Sequence, residues 1–145
     1  MPDQPPADPA GTSDEPPLGP AAVEALLLQA RRKDSRYALD AYRFLLFEGL
    51  EFTAREHLKL KERRHMTGSE LCEGLRALAL REFGFLAAEV WRGWGIRATR
   101  DWGEVVFNLV GVGLLNTTPT DRIEDFENIY DVERALSEFD GGGAP

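Results

Sequence analysis

The sequence predicts an all-α protein: an orthogonal bundle of five to six helices that follows a disordered N-terminal tail. Two observations indicate this fold class. Apolar residues recur at helical spacing in successive segments, and those segments are separated by residues of the kind that start and stop helices. A winged-helix-like fold with a small C-terminal β-hairpin within residues 114–130 is the alternative.

The chain is expected to divide into a tail, one domain and a short end. Residues 1–19 are acidic and rich in Pro, and they bury too little apolar surface to offset the entropy of ordering, so we expect them to be disordered. Residues 20–139 are expected to form a single helical domain. Residues 140–145 hold three consecutive glycines and are expected to form a disordered Gly-rich end.

The composition favours a cytoplasmic protein. Cys72 is the one cysteine, which excludes an intramolecular disulfide and favours a reducing compartment. The first residues lack the basic start and apolar run of a signal peptide, and no apolar stretch is long enough to span a bilayer. We therefore expect no contact with a membrane.

The net charge of −8 is unevenly distributed along the chain. Residues 1–19 carry −4 and residues 115–145 carry −6, whereas residues 20–114 carry +2. The chain therefore lacks the strongly basic balance that is typical of nucleic-acid-binding proteins, although a local basic patch is still compatible with it.

The first helix is predicted over Pro20–Lys33, because proline suits the first turn and the last turn carries three cations. The second and longest helix is predicted from Arg36 to Arg63. Its apolar stripe contains Leu39, Tyr42, Leu46, Leu50, Thr53 and His57. Phe44, Leu45 and Phe47 widen this stripe, so we expect burial on much of the helix circumference.

The third helix has the clearest start. Thr67 and Glu70 have the spacing of a capping box, and Met66 and Leu71 have the spacing of a hydrophobic staple. Gly84 is expected to end this helix in the left-handed conformation.

Two further helices are predicted over Phe85–Trp94 and from Thr99 or Asp101 to Gly113. Their apolar faces carry the tryptophans, which are Trp91, Trp94 and Trp102, and we expect all three in the core. Thr118, followed by Pro119, is typical of another helix start, and Asp131 of the cap of a last helix.

Three strings carry a resemblance: RHMTGSELCEGLRALALREFG, WGIRATRDWGEVVFNLVGVGLL and the DF and YD pairs at residues 125–126 and 130–131. Over residues 20–139 the chain resembles a family of small proteins of similar length, described mainly from Planctomycetes and Verrucomicrobia. The resemblance implies kinship and bacterial origin. It implies no activity, cofactor or site residue.

The residues predict no catalytic or metal site. Cys72, His57 and His65 lack the spacing that zinc ligands need, and His57 is expected at the edge of the core. Ser69 is explained by the capping turn, and Cys72 is expected to be a small buried residue, so we expect no cofactor and no catalytic residue.

Two surfaces are candidates for binding. The first is a polar face of the fifth helix and the turn before it, made of Arg97, Arg100, Asp101, Glu104 and Asn108, which is either a recognition face or a solvated stripe. The second is a basic patch at the end of the second helix, made of Arg55, Lys59, Lys61, Arg63 and Arg64.

Two functions remain open from the sequence. The first is a non-enzymatic protein-interaction module whose partner is another protein. The alternative is a helix-turn-helix nucleic-acid-binding protein, in which the fourth and fifth helices form the motif and the basic patch contacts phosphates. The acidic Glu104 on the reading helix disfavours this alternative.

Overall fold

The structure of the protein is a computed structural model that describes residues 18–62 and 64–137. Within these residues it contains six helices and no strand. The all-α prediction is confirmed, and the hairpin alternative is wrong because residues 114–130 form turns. Most of the predicted tail, residues 1–17, and the Gly-rich end lie outside the described residues, as do Arg63 and residues 138 and 139.

Helix α1 spans Pro20–Lys33, as predicted, with Pro20 in its first turn and three basic residues in its last. Helix α2 covers residues 39–57. It starts later than predicted because Ala38 is extended, with its N–H bonded to the Trp94 carbonyl at 3.0 Å. It also ends earlier than predicted, so the predicted end at Arg63 is wrong.

Helix α2 is irregular. Regular turns at Leu39–Arg43 and Leu50–Phe52 alternate with wider π-turns at Phe44–Gly49 and Thr53–His57. The Leu58 N–H donates to the Thr53 carbonyl, five residues earlier, at 2.8 Å. Such wide turns alter which side chains share a face, and they occur frequently at functional sites.

The α2 stripe is therefore only partly as predicted. Tyr42 and Thr53 are fully buried, but His57 is exposed, and Phe47 is 53% exposed although burial was predicted for it. The wide turns shift the register by one residue each, which rotates the end of the helix away from the core.

Helix α3 spans Gly68–Phe83, and its predicted capping box is confirmed. Thr67 Oγ1 accepts from the Glu70 N–H, and the Glu70 carboxylate accepts from the Thr67 N–H, each at 3.0 Å. Gly84 ends the helix with a φ of +56°, but its ψ of −132° lies outside the left-handed helical region, so the predicted conformation is wrong. A 3₁₀ turn, Gly84–Leu86, precedes helix α4 at Ala87–Trp94, so Phe85 and Leu86 are exposed instead of helical.

Helix α5 spans Thr99–Gly111 and packs against α1, α2, α3 and residues 123–126. Gly111 is its one exposed residue, whereas Trp102, Val105 and Leu109 are completely buried. After α5, Thr118 starts a turn and not a helix, because its N–H bonds to Asp121 and residues 119–122 stay non-helical.

The chain then forms a 3₁₀ turn at Ile123–Phe126 and helix α6 at Val132–Ser137. Asp131 caps α6 as predicted, since its carboxylate accepts from the Arg134 N–H at 2.9 Å. Among the described residues, no helix is long and apolar enough to cross a membrane.

The core contains two of the three tryptophans. Trp91 and Trp102 are completely buried and pack edge to face, with 5.1 Å between ring centroids. Phe44 of α2 contacts both rings, and Trp94 is only half-buried at the margin of the cluster. The prediction of burial therefore holds fully for Trp91 and Trp102.

Candidate interaction cleft

A cleft of about 1050 Å³ opens on one side of the bundle. It lies between the second half of α2, the segment after α2, the start of α3, the middle of α5 and residues 115–126. We call this feature the α2 cleft. Its volume is at the upper end of the range for small-molecule pockets, and it is partly open to solvent.

The floor of the α2 cleft is apolar. It is supplied by Leu46, Leu50, Met66, Leu71, Val106, Phe107 and Phe126. Phe47 lies at its edge with half of its side chain exposed. An exposed aromatic residue beside an apolar groove is typical of a protein-interaction site.

The basic patch predicted from the sequence forms part of the rim of the α2 cleft. Arg55, Lys59, Lys61 and Arg64 all line it, and Arg63 lies outside the described residues. Arg55 pairs with Glu51, and Arg64 pairs with Glu70 at 3.0 Å. The Arg64 hydrogen bond, together with the Thr67 N–H, lowers the pKa of Glu70 to about 2.

The two lysines of the rim differ from its described arginines in their ion pairing. Within the described part of the chain, neither Lys59 nor Lys61 forms an ion pair. Glu56 and Glu62 also line the rim, so its charges are mixed and not uniformly basic. This arrangement suits a partner with spaced charges better than a phosphate backbone, which needs several unopposed cations.

Lys59 has a left-handed backbone, with φ of +55°, where α2 ends. The Leu60 N–H reaches back to the Ala54 carbonyl at 2.9 Å, which satisfies a helix-terminal acceptor. Glycine is favoured at such a position, because a side chain there costs about 1 kcal/mol. Residues 59–62, which form and follow this turn, line the cleft.

We expect Lys59→Gly to raise the free energy of unfolding by up to about 1 kcal/mol, because it relieves this strain. Denaturation in urea measures it. Asn128, with φ of +54°, is the control, because asparagine tolerates this conformation and Asn128→Gly should change less. A loss of stability in Lys59→Gly would contradict the prediction.

One polar contact joins two segments that line the cleft. His65 Nε2 lies 2.9 Å from the Asp121 carboxylate, which also accepts from Thr117 Oγ1 and the Thr118 N–H at 2.7 Å each. Burial raises the pKa of Asp121, but these donors outweigh it and lower the pKa to about 2. The contact fixes the segment after α2 against the segment after α5.

The polar face of α5 lies away from the cleft and is engaged within the chain. Asp101 accepts from the Tyr37 hydroxyl at 2.6 Å and from the Arg97 and Ala98 N–H groups. Asn108 donates to Asp34 at 3.0 Å and to the Tyr42 hydroxyl at 3.1 Å.

The charged residues of this face are also paired within the chain. Glu104 pairs with Arg36 at 3.3 Å, and Arg100 pairs with Glu127. Arg97 is exposed, but Asp101, Glu104 and Asn108 are half-buried. The face is therefore not a solvated stripe: it holds the α1–α2 connection against α5.

Asp34 anchors this network, and the Arg36 hydrogen bond lowers its pKa to about 2 against opposition from burial. Because this value is below the ordinary value near 3.9, the stabilisation is present above about pH 4 and is lost as the pH falls towards 2.

We expect Asp34→Asn to lower the free energy of unfolding at pH 7 by about 1–2 kcal/mol, with the difference disappearing near pH 2. Urea denaturation across this pH range measures it. The control is Asp40→Asn, since Asp40 is exposed and lies 3.7 Å from Arg43. A loss that does not depend on pH would contradict the assignment.

The predicted helix-turn-helix pair corresponds to α4 and α5. The reading helix of such a motif must expose its side chains to a DNA groove. Apart from Gly111, every residue of helix α5 is at least partly buried, and Val106 and Phe107, which line the α2 cleft, are apolar.

Cys72 and the histidines do not form a nucleophilic or metal-binding site among the described residues. Cys72 is completely buried, and burial raises the pKa of its thiol, so the thiol is unreactive. Across residues 18–62 and 64–137, no group of three potential metal ligands comes together.

The cleft itself was missed from the sequence. Its lining comes from five separate segments, and each of its apolar residues fits a core stripe equally well. One usable signal was the apolar excess around Leu46 and Phe47, which exceeds what one helix face can bury. No protein-family model matches the chain, and neither a curated protein nor a solved structure matches it.

Proposed function

We propose that the protein is a non-enzymatic interaction module that binds a segment of another protein in the α2 cleft. One observation carries the proposal: the cleft combines an apolar floor with a rim of mixed charge and an exposed Phe47. Such a site resembles the centre and rim of a protein interface.

The geometry favours this function over the nucleic-acid alternative. Half of the cations of the rim that the structure describes are paired with carboxylates, and every residue of α5 except Gly111 is at least partly buried. We also propose a cytoplasmic site of action in a bacterium, which the resemblance in sequence and the single buried thiol support.

The proposal is tested by photo-crosslinking in the cell of origin. A photoreactive phenylalanine analogue replaces Phe47 in one strain and Phe85 in another. Phe85 is a matched control because it is also aromatic, is 83% exposed and lies outside the cleft.

We expect one discrete protein adduct from position 47 that position 85 does not give. The same adducts from both positions, or none from position 47, would overturn the proposal.

A further inference from the structure

We propose that the chain's own N-terminal segment, residues 1–17, occupies the α2 cleft in the isolated protein. A protein partner then has to displace this segment, and this last step alone rests on the proposed function. The segment would act as an internal competitor that lowers the apparent affinity for the partner.

The N-terminal segment continues into helix α1, which packs against α2, the helix that lines the cleft. The described chain begins at Leu18, and Glu24, in the second turn of α1, forms an ion pair with Arg43 of α2. Phe47, at the edge of the cleft, follows Arg43 by four residues, which is about one helical turn.

The segment is also long enough to fill the cleft. From Pro20 to Glu24 the rise along α1 is about 6 Å at 1.5 Å per residue. Seventeen extended residues span up to about 60 Å, so the segment can pass Phe47 and follow the groove towards Lys59.

The chemistry of the segment matches the cleft. It contains six prolines, and Pro-rich segments dock on aromatic-lined grooves because their extended conformation costs little further entropy on binding. Phe47, Phe107 and Phe126 supply aromatic surface in the cleft.

Two cations of the rim can also pair with carboxylates of the segment. The segment carries four carboxylates, at positions 3, 8, 14 and 15, and no basic side chain. Lys59 and Lys61 on the rim have no ion pair among the described residues, so they are available to these carboxylates. Glu56 and Glu62 also line the rim, so the charge complementarity is confined to the two lysines.

The test uses the full chain with a nitroxide spin label on Ala7→Cys. The native Cys72 is completely buried and stays unlabelled. Paramagnetic broadening of the backbone amide signals then reports which residues lie near the segment.

We expect strong broadening at Phe47, Lys59 and Phe107, and little at Arg92 and Glu133, which pair with each other outside the cleft. Charge reversal by Lys59→Glu with Lys61→Glu should reduce the broadening at least twofold. The matched control, Arg31→Glu with Arg32→Glu, reverses two exposed cations of α1 and should leave it unchanged.

Absent broadening, or equal broadening at cleft and control residues, would overturn the inference. So would broadening in a mixture where the spin label and the isotope label are on different molecules, because the segment of a second copy would then be the occupant. The crosslink from position 47 tests the partner separately, so a failure here leaves the proposed function standing.

Discussion

Trp102→Ala is expected to lower the free energy of unfolding by about 3–5 kcal/mol, a large share of the about 5–15 kcal/mol of a typical domain. Trp102 is completely buried in the first turn of α5, and its ring lies 5.1 Å from Trp91 and 6.0 Å from Phe44. Its removal would leave a cavity where three helices meet, and chemical denaturation measures the loss.

Two controls separate packing from other causes. Trp102→Phe keeps most of the aromatic volume and removes an indole N–H that has no hydrogen-bond partner, so it should lose far less. Trp94→Ala removes a half-buried ring and should also lose less. A loss under about 1 kcal/mol in Trp102→Ala would contradict the packing of this ring between α2 and α4.

Gly74→Ala is the second change with a large expected effect, a loss of about 2–3 kcal/mol in the free energy of unfolding. A Cβ atom at Gly74 of α3 would lie 2.6 Å from Thr53 Cβ of α2 and still closer to the Thr53 methyl and hydroxyl groups. The two helices cross in contact here, so they would have to separate.

Gly93→Ala is the matched control, because it makes the same change in helix α4 where nothing lies within 4 Å. Since alanine favours helix over glycine, it should raise the free energy of unfolding by up to about 1 kcal/mol. Denaturation of both variants compares the two sites, and equal effects of the same sign would contradict the close crossing.

Local signals in the sequence predicted local structure well. The start of α3 follows from Thr67 and Glu70 because a capping box involves only residues within one turn of each other. The bounds of α1 and the cap at Asp131 were predictable for the same reason.

The end of α2 was not predictable from such signals. Its helical pattern continues past His57, but Lys59 adopts a left-handed backbone that a lysine alone does not indicate.

The burial of the polar face of α5 was not predictable either. Helical periodicity does not show whether another segment of the chain packs over the polar residues opposite a core stripe. Asp101 and Asn108 are half-buried because a distant connection, residues 34–38, packs over them.

The α2 cleft depends on contacts between segments that are far apart in the sequence. The basic patch was predicted from five cations close in sequence, but its pairing with Glu51 and Glu70 and its position on a cleft follow from the fold. The cleft exists because the α2 turns, the α5 face and residues 115–126 leave a gap between them.

The most direct test of the α2 cleft is the affinity of the crosslinked partner for two variants, measured by titration calorimetry. We predict that Phe47→Asp weakens binding at least tenfold, which is about 1.4 kcal/mol, because an exposed aromatic residue at the edge of an apolar groove is lost. Phe85→Asp, outside the cleft, should bind as the unaltered protein does. Unchanged affinity in Phe47→Asp, or equal losses in both variants, would contradict the assignment of the cleft as the binding site.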